Sequence, residues 1–262
     1  MADGLVGQVV NLLHFKENIL MNTLKYKSHY RRKLPHYQPI WAKLFITYRL
    51  ADSLPDHVVA KLRQEQKQKE KELARIKDIN ERKHLQYEFQ RRWFAKYDAY
   101  LDRAETGPKW LIDPGIAKLV YESIRYRDGK VYDLDCLTIM SNHVHQVIEP
   151  LAVAVGQVGN LSENVGQDGI LPNGEEQIQN GQDTILPYSV SKIMHSLKRY
   201  TGRQANLILG REGQFWQHEN YDHVVRDDKE FERIIWYILN NPVKAGLVDS
   251  WEKWEWSYCK YL

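Results

Sequence analysis

The chain has 262 residues, 43% of them hydrophobic and 27% charged, with a mean hydropathy of -0.59, which excludes a fully disordered protein and favours one core carrying insertions. A net charge of +3 and a pI near 8.6 are too mild to imply nucleic acid on their own, and neither cysteine, Cys136 nor Cys259, sits in a CxxC or Cys/His quartet, which excludes a disulfide scaffold and a zinc finger. No apolar run reaches about 18 residues, and the opening Gly4–Leu13 stretch lacks a cationic flank and a cleavage site, so membrane and export readings fail and a cytoplasmic protein is expected.

Residues 1–40 read as a basic arm. Its cations crowd between Lys25 and Lys33, interleaved with Tyr26 and Tyr30, a mixture suited to phosphate contact and base stacking but equally to a solvated arm. A single domain is expected over 41–250. Its first strand is the β-forming stretch 42–48, ended by Asp52-Ser-Leu-Pro55. From about 55 to 105 the chain is helical and heavily charged, with Gln66–Arg75 too polar for a core, which predicts a projecting helix or helical hairpin with a solvated charged face. Ile116, Leu119, Val120 and Ile124 then form a helical stripe ending near Gly129. Strands follow at about 130–139 and 142–149. The stretch 151–187 is rich in Gly, Gln and Asn and contains short duplications (Gln167–Pro172 recurs as Gln182–Pro187), predicting a mobile insertion without chemistry.

A helix resumes at about Ser189, apolar along Val190, Ile193, Met194 and Leu197 and cationic along Lys192, Lys198, Arg199 and Arg203. The last strand lies within 213–226. Asp227 and Glu230 open a final helix, which Pro242 and Gly246 should stop near Asn240. Residues 251–262 read as a tail. The order β, α, β, β, α, β, α predicts an α+β, ferredoxin-like (RRM-like) antiparallel sheet with helices on one face, the other face open, and an added C-terminal helix. That architecture hosts many activities and selects none.

Two local patterns carry chemistry. His143 and His145 are two apart in a strand, so both imidazoles project from one face and can chelate one divalent ion; two structural histidines would look the same. In the last helix, Phe231, Ile234, Ile235, Ile238 and Leu239 form the core stripe. Tyr237 lies off it with Asn241 one turn on, a presented tyrosine with an amide beside it, or else a half-buried tyrosine whose hydroxyl is merely satisfied.

Taken together, Tyr30–Tyr37, Phe45–Pro55, Met140-Ser-Asn-His-Val-His145, Phe215-Trp-Gln217, Tyr221-Asp222 and Tyr237–Leu247 resemble the REP-associated tyrosine transposases, single-tyrosine members of the HUH endonuclease superfamily. Ser141 stands where that family usually has proline, and both insertions enlarge the usual core. The resemblance implies that His143 and His145 hold a metal, Mg2+ or Mn2+, with Asn241 as third ligand, and that Tyr237 is the nucleophile. The implied activity is cleavage and rejoining of single-stranded, hairpin-forming DNA through a 5′-phosphotyrosine. It also implies a place at the nucleoid and allows a homodimer, since relatives include dimers that exchange the catalytic helix. Arg31, Arg32, Lys33, Lys192, Lys198, Arg199 and Arg203 are the candidate DNA contacts. A rival reading is a domesticated binder of hairpin nucleic acid that regulates without cutting and needs no intact metal and tyrosine set.

Overall fold

Every residue of the strand β3 (Leu44–Arg49) is buried, and so is every residue of β5 (His143–Pro150). Strands buried on both faces need cover on both, and that requirement sets the architecture. The computed structural model describes residues 29–31, 35–37, 42–154 and 185–262. The short strands β1 (His29–Arg31) and β2 (Pro35–Tyr37) pair with each other. With β4 (Tyr132–Ile139), β8 (Tyr221–Val224) and β9 (Ser257–Cys259), the two buried strands form a five-stranded antiparallel sheet in the order β8-β3-β5-β4-β9. Strands β6 (Ala152–Ala154) and β7 (Ile185–Pro187) pair at the base of the Gly/Gln-rich insertion, whose residues 155–184 lie outside the described residues.

The helices are α1 (Asp56–Ala74), α2 (Ile79–Arg103), α3 (Pro114–Arg127), α4 (Val190–Ile208) and α5 (Asp228–Lys244). None of them is long and apolar enough to cross a membrane. The start signals act as their chemistry requires. Asp113 accepts from the backbone N–H groups of Gly115 and Ile116, with Pro114 opening α3. Asp78 caps α2 in the same way. Asp227 accepts from the Glu230 N–H while the Glu230 carboxylate reaches back to the Arg226 N–H, a reciprocal cap one residue out of the usual box.

One face of the sheet packs Ile46, Tyr48, Leu137, Ile139, Val144 and Ile148 against α3 and α4. The other presents Phe45, Cys136 and Val147 to the apolar stripe of α5 and to Phe94 of α2. The α+β antiparallel sheet is as the sequence predicts, whereas the face expected to be open is covered. Phe45, Cys136 and Val147 alternate with the first core's residues, so an open face would leave them in water.

Three further differences bear on the site. The charged stretch is a helical hairpin, α1 and α2, but α2 buries Phe94, Asp98 and Leu101 instead of standing wholly in solvent. After α2 the chain turns at Gly107 (φ +79°), where a Cβ would collide with the Asp52 carbonyl. Helix α5 runs past Asn240 and through Pro242 to Lys244, so Asn241 is inside the helix. Proline costs that last turn only one N–H donor, and the Ala245, Gly246 and Leu247 N–H groups close the end onto Asn241, Val243 and Pro242, with Gly246 at φ +70°. Residues 257–259, read as tail, supply the edge strand β9.

Candidate active site

Strand register brings the two histidines to the sheet's centre. His145 lies between Thr47 of β3 and Thr138 of β4, on the face covered by α5. His143 lies opposite Arg49. Val144 points to the other core, as the two-residue period requires.

Each imidazole is held from behind. His143 Nδ1 is 2.6 Å from Asn142 Oδ1, and His145 Nδ1 is 2.7 Å from Thr47 Oγ1. Both Nε2 atoms are therefore directed at each other, 3.0 Å apart. Two adjacent nitrogens each about 2.1 Å from one octahedral cation would stand about 3 Å apart. Burial, the neighbouring His145 and Lys244 together push the His143 imidazolium down to about 3 against the opposing pull of Asp98, so the ring is neutral and its Nε2 lone pair available at ordinary pH.

Two carboxylates and an amide complete the site. Asp98 Oδ1, from α2, is 3.3 Å from His145 Nε2 and 3.8 Å from His143 Nε2. Asn241, from α5, directs its amide at His145 Nε2, with Nδ2 3.1 Å away. Asp102, one turn after Asp98, has Oδ1 3.9 Å from His143 Nε2 while its Oδ2 accepts from Lys244 Nζ at 2.6 Å. Asp98 Oδ1, Asp102 Oδ1 and Asn241 Oδ1 are all buried without a hydrogen-bond partner. Orphaned buried oxygens beside two imidazoles are a donor set suited to a divalent ion. Asp98, His143 and His145 offer ligand atoms all within 4.8 Å of one another, a buried set that can hold a metal. Burial alone would raise the Asp98 carboxyl, but His145, His143 and Lys244 outweigh it and hold Asp98 below the usual range. Burial and the charge of Asp98 raise Asp102, against Lys244.

Tyr237 donates its hydroxyl hydrogen bond to Asp98 Oδ2. Its half-buried ring stands edge-on to His145, with centroids 5.6 Å apart. The structure thus brings together His143, His145, Tyr237 and Asn241. It adds Asp98, which the sequence reading passed over inside a charged helix. A signal was available: Phe94, Asp98 and Leu101 fall at i, i+4 and i+7, an acid within an apolar stripe.

The candidate DNA contacts are not gathered at this site. Lys192, Arg199 and Arg203 are exposed on α4, which packs on the opposite face of the sheet. Lys198, unlike those three, is engaged within the fold. Its ammonium donates to the carbonyls of Gln217 (2.9 Å) and His218 (3.3 Å) and to the Asn220 side chain, and burial pushes it down to about 7, so it ties α4 to the 217–220 loop. Arg31 is described only as backbone in β1, and Arg32 and Lys33 lie outside the described residues. The exposed residues flanking Tyr237 on α5 are Arg233, Trp236, Asn240 and Lys244, which the sequence reading did not single out.

The fold and site define an α+β domain with a paired-histidine, carboxylate and tyrosine centre. No family model matches the chain. The chain is similar to a Haemophilus influenzae protein assigned by name to the REP-associated tyrosine transposases, 40% identical over 47 residues, which are 18% of this chain and 27% of that one. It is also similar to an uncharacterised Haemophilus influenzae protein, 24% identical over 110 residues, 42% of this chain and 54% of the relative. The matches thus span about a quarter and about half of those relatives' lengths. A solved structure of a REP-associated tyrosine transposase bound to a REP hairpin aligns over 88% of this chain and 81% of its own at 15% identity, with a TM-score of 0.42. The family resemblance read in the sequence is borne out by the first of these matches.

Proposed function

We propose that this protein is a transposase-type nicking and joining enzyme that acts on single-stranded, hairpin-forming DNA through a covalent tyrosine intermediate. The observation that carries the reading is the convergence of His143 Nε2 and His145 Nε2 with orphaned buried oxygens beside the Tyr237 hydroxyl. The local similarity to a protein named as a REP-associated tyrosine transposase supports the substrate class.

In this reading His143, His145 and Asn241 would hold a divalent ion, Mg2+ or Mn2+, the Asn241 amide, whose Nδ2 faces His145 Nε2 at 3.1 Å, turning over to offer its unpaired oxygen. The ion supplies polarisation of the phosphate oxygens and neutralisation of charge as the phosphorus is attacked. Tyr237 oxygen attacks the phosphorus in line. A tyrosine–phosphorus bond forms, the bond to the 3′ oxygen breaks, and that oxygen leaves with a proton as a free 3′-OH. The phenolic proton is already directed at Asp98 Oδ2. The reverse attack by a 3′-OH rejoins the strand, so bond energy is conserved and no nucleotide is consumed. A free phenol has a pKa near 10 and is about a thousandfold under-ionised at neutral pH, a deficit of about 4 kcal/mol that the site must offset.

The test is a denaturing gel of 5′- and 3′-labelled hairpins from repeats flanking the gene, with Mg2+ or Mn2+, comparing wild type with Tyr237→Phe. The reading expects a metal-dependent adduct on the 3′-labelled fragment, absent from the variant. Tight binding without cleavage by the wild type would instead make the protein a hairpin-binding regulator.

A further inference from the structure

We propose that Asp98 is shared between the cation and the nucleophile, Oδ1 serving as a ligand beside His143 and His145 while Oδ2 positions the Tyr237 hydroxyl, so that the α1–α2 hairpin is an integral part of the active site. The inference rests on the metal reading above and adds a residue that lies outside every segment carrying the family resemblance.

The starting point is an energetic anomaly. Asp98 is 1% exposed, and an ionised carboxylate so buried costs several kcal/mol unless it is paired and hydrogen-bonded. Its neighbours along the helix stripe are Phe94 and Leu101, so solvent offers nothing. Oδ2 has a donor in Tyr237, 139 residues away. Oδ1 faces the two Nε2 atoms, 3.3 Å from His145 and 3.8 Å from His143, and has no hydrogen bond of regular geometry. A divalent cation held by His143, His145 and Asp98 would satisfy all three side chains. Hard divalent ions take carboxylate oxygens readily, more so than a neutral amide.

The carboxylate is also held in place. Asn142, which orients His143 through its Oδ1, donates from Nδ2 to the Leu101 carbonyl at 3.1 Å, and Lys244 of α5 clamps Asp102. Phe94 stacks on Tyr221 with centroids 4.3 Å apart. Helix α2 is thereby fastened to the histidine strand, to the tyrosine helix and to the edge strand β8.

The test titrates Mn2+ into the DNA-free full chain by calorimetry, with Asp98→Asn, Asp98→Cys and His143→Ala, folding being checked by circular dichroism. Wild type should bind one Mn2+ at the site, and Asp98→Asn should weaken it at least about tenfold. Asp98→Cys should shift preference from Mn2+ toward thiophilic Cd2+ by a similar factor relative to wild type, a change that no merely structural residue produces. Mn2+ affinity unchanged in Asp98→Asn but lost in His143→Ala would overturn the inference and leave the histidine site standing. An absence of Mn2+ binding by the wild type would overturn both. Should Asp98→Asn fail to fold, the Cd2+/Mn2+ ratio of Asp98→Cys decides, and an unchanged ratio counts against the proposal.

Discussion

Asn142 Oδ1 lies 2.6 Å from His143 Nδ1, and an amide oxygen can only accept, so the imidazole carries its proton on Nδ1 and keeps the Nε2 lone pair free. The tautomer that metal binding needs is therefore set by the residue next to the ligand.

Removing that acceptor should weaken the site without touching a ligand. Asn142→Ala is expected to lower Mn2+ affinity by about 10- to 100-fold, as outer-shell changes commonly do. Asn142→Asp, which keeps an acceptor at Nδ1, should retain more affinity than Asn142→Ala. Calorimetric titration checks the order, and equal affinities in all three proteins would refute it.

Helix α2 should unfold together with the sheet it packs on. Leu101 is fully buried, so Leu101→Ala should cost about 2–5 kcal/mol in a single urea transition. Lys69→Ala on α1 breaks only a surface pair with Glu72 and should stay within about 0.5 kcal/mol. A separate early transition for the hairpin would contradict this.

Glu230 joins three elements. Its carboxylate takes Tyr87 of α2 at 2.7 Å and the Arg226 N–H at 3.0 Å, with His223 Nε2 3.2 Å away. Burial opposes the charge, yet His223, Tyr87 and that N–H outweigh it and hold the carboxyl at about 2, below its ordinary 4.5. Unfolding thus takes up a proton between these values, so the stabilisation is fully present above about 4.5 and is lost as pH falls through about 2. Glu230→Gln should be less stable at neutral pH and show a shallower acid slope in urea midpoints. A slope identical to wild type would disprove the coupling.

Trp236 is exposed immediately before Tyr237, 42% of its surface accessible, with Arg233 and Lys244 on the same side of α5. If the substrate strand lies along this helix, Trp236→Ala should cost about 1–3 kcal/mol of single-strand affinity through lost stacking. Lys244→Ala should leave the salt slope of binding almost unchanged, because its ammonium is paired with Asp102. Lys198→Met should leave the slope unchanged, because its ammonium is engaged with the 217–220 loop. Filter binding across a salt series distinguishes these variants.

What the sequence determined by itself was local. The two-residue period put His143 and His145 on one face, and helical spacing put Tyr237 and Asn241 on another, because strand and helix periodicity are properties of the chain alone. The start of α5 at Asp227 and the succession of strands and helices along the chain were legible for the same reason. Only the tertiary structure decided that α2 reaches the site. Asp98 is separated from Tyr237 by 139 residues, and a carboxylate in a charged helix looks like any solvated acid until the burial of Phe94 and Leu101 is known. The covered second face and the strand formed by residues 257–259 were equally hidden, since pairing and burial over such separations depend on which surfaces meet and not on any local pattern.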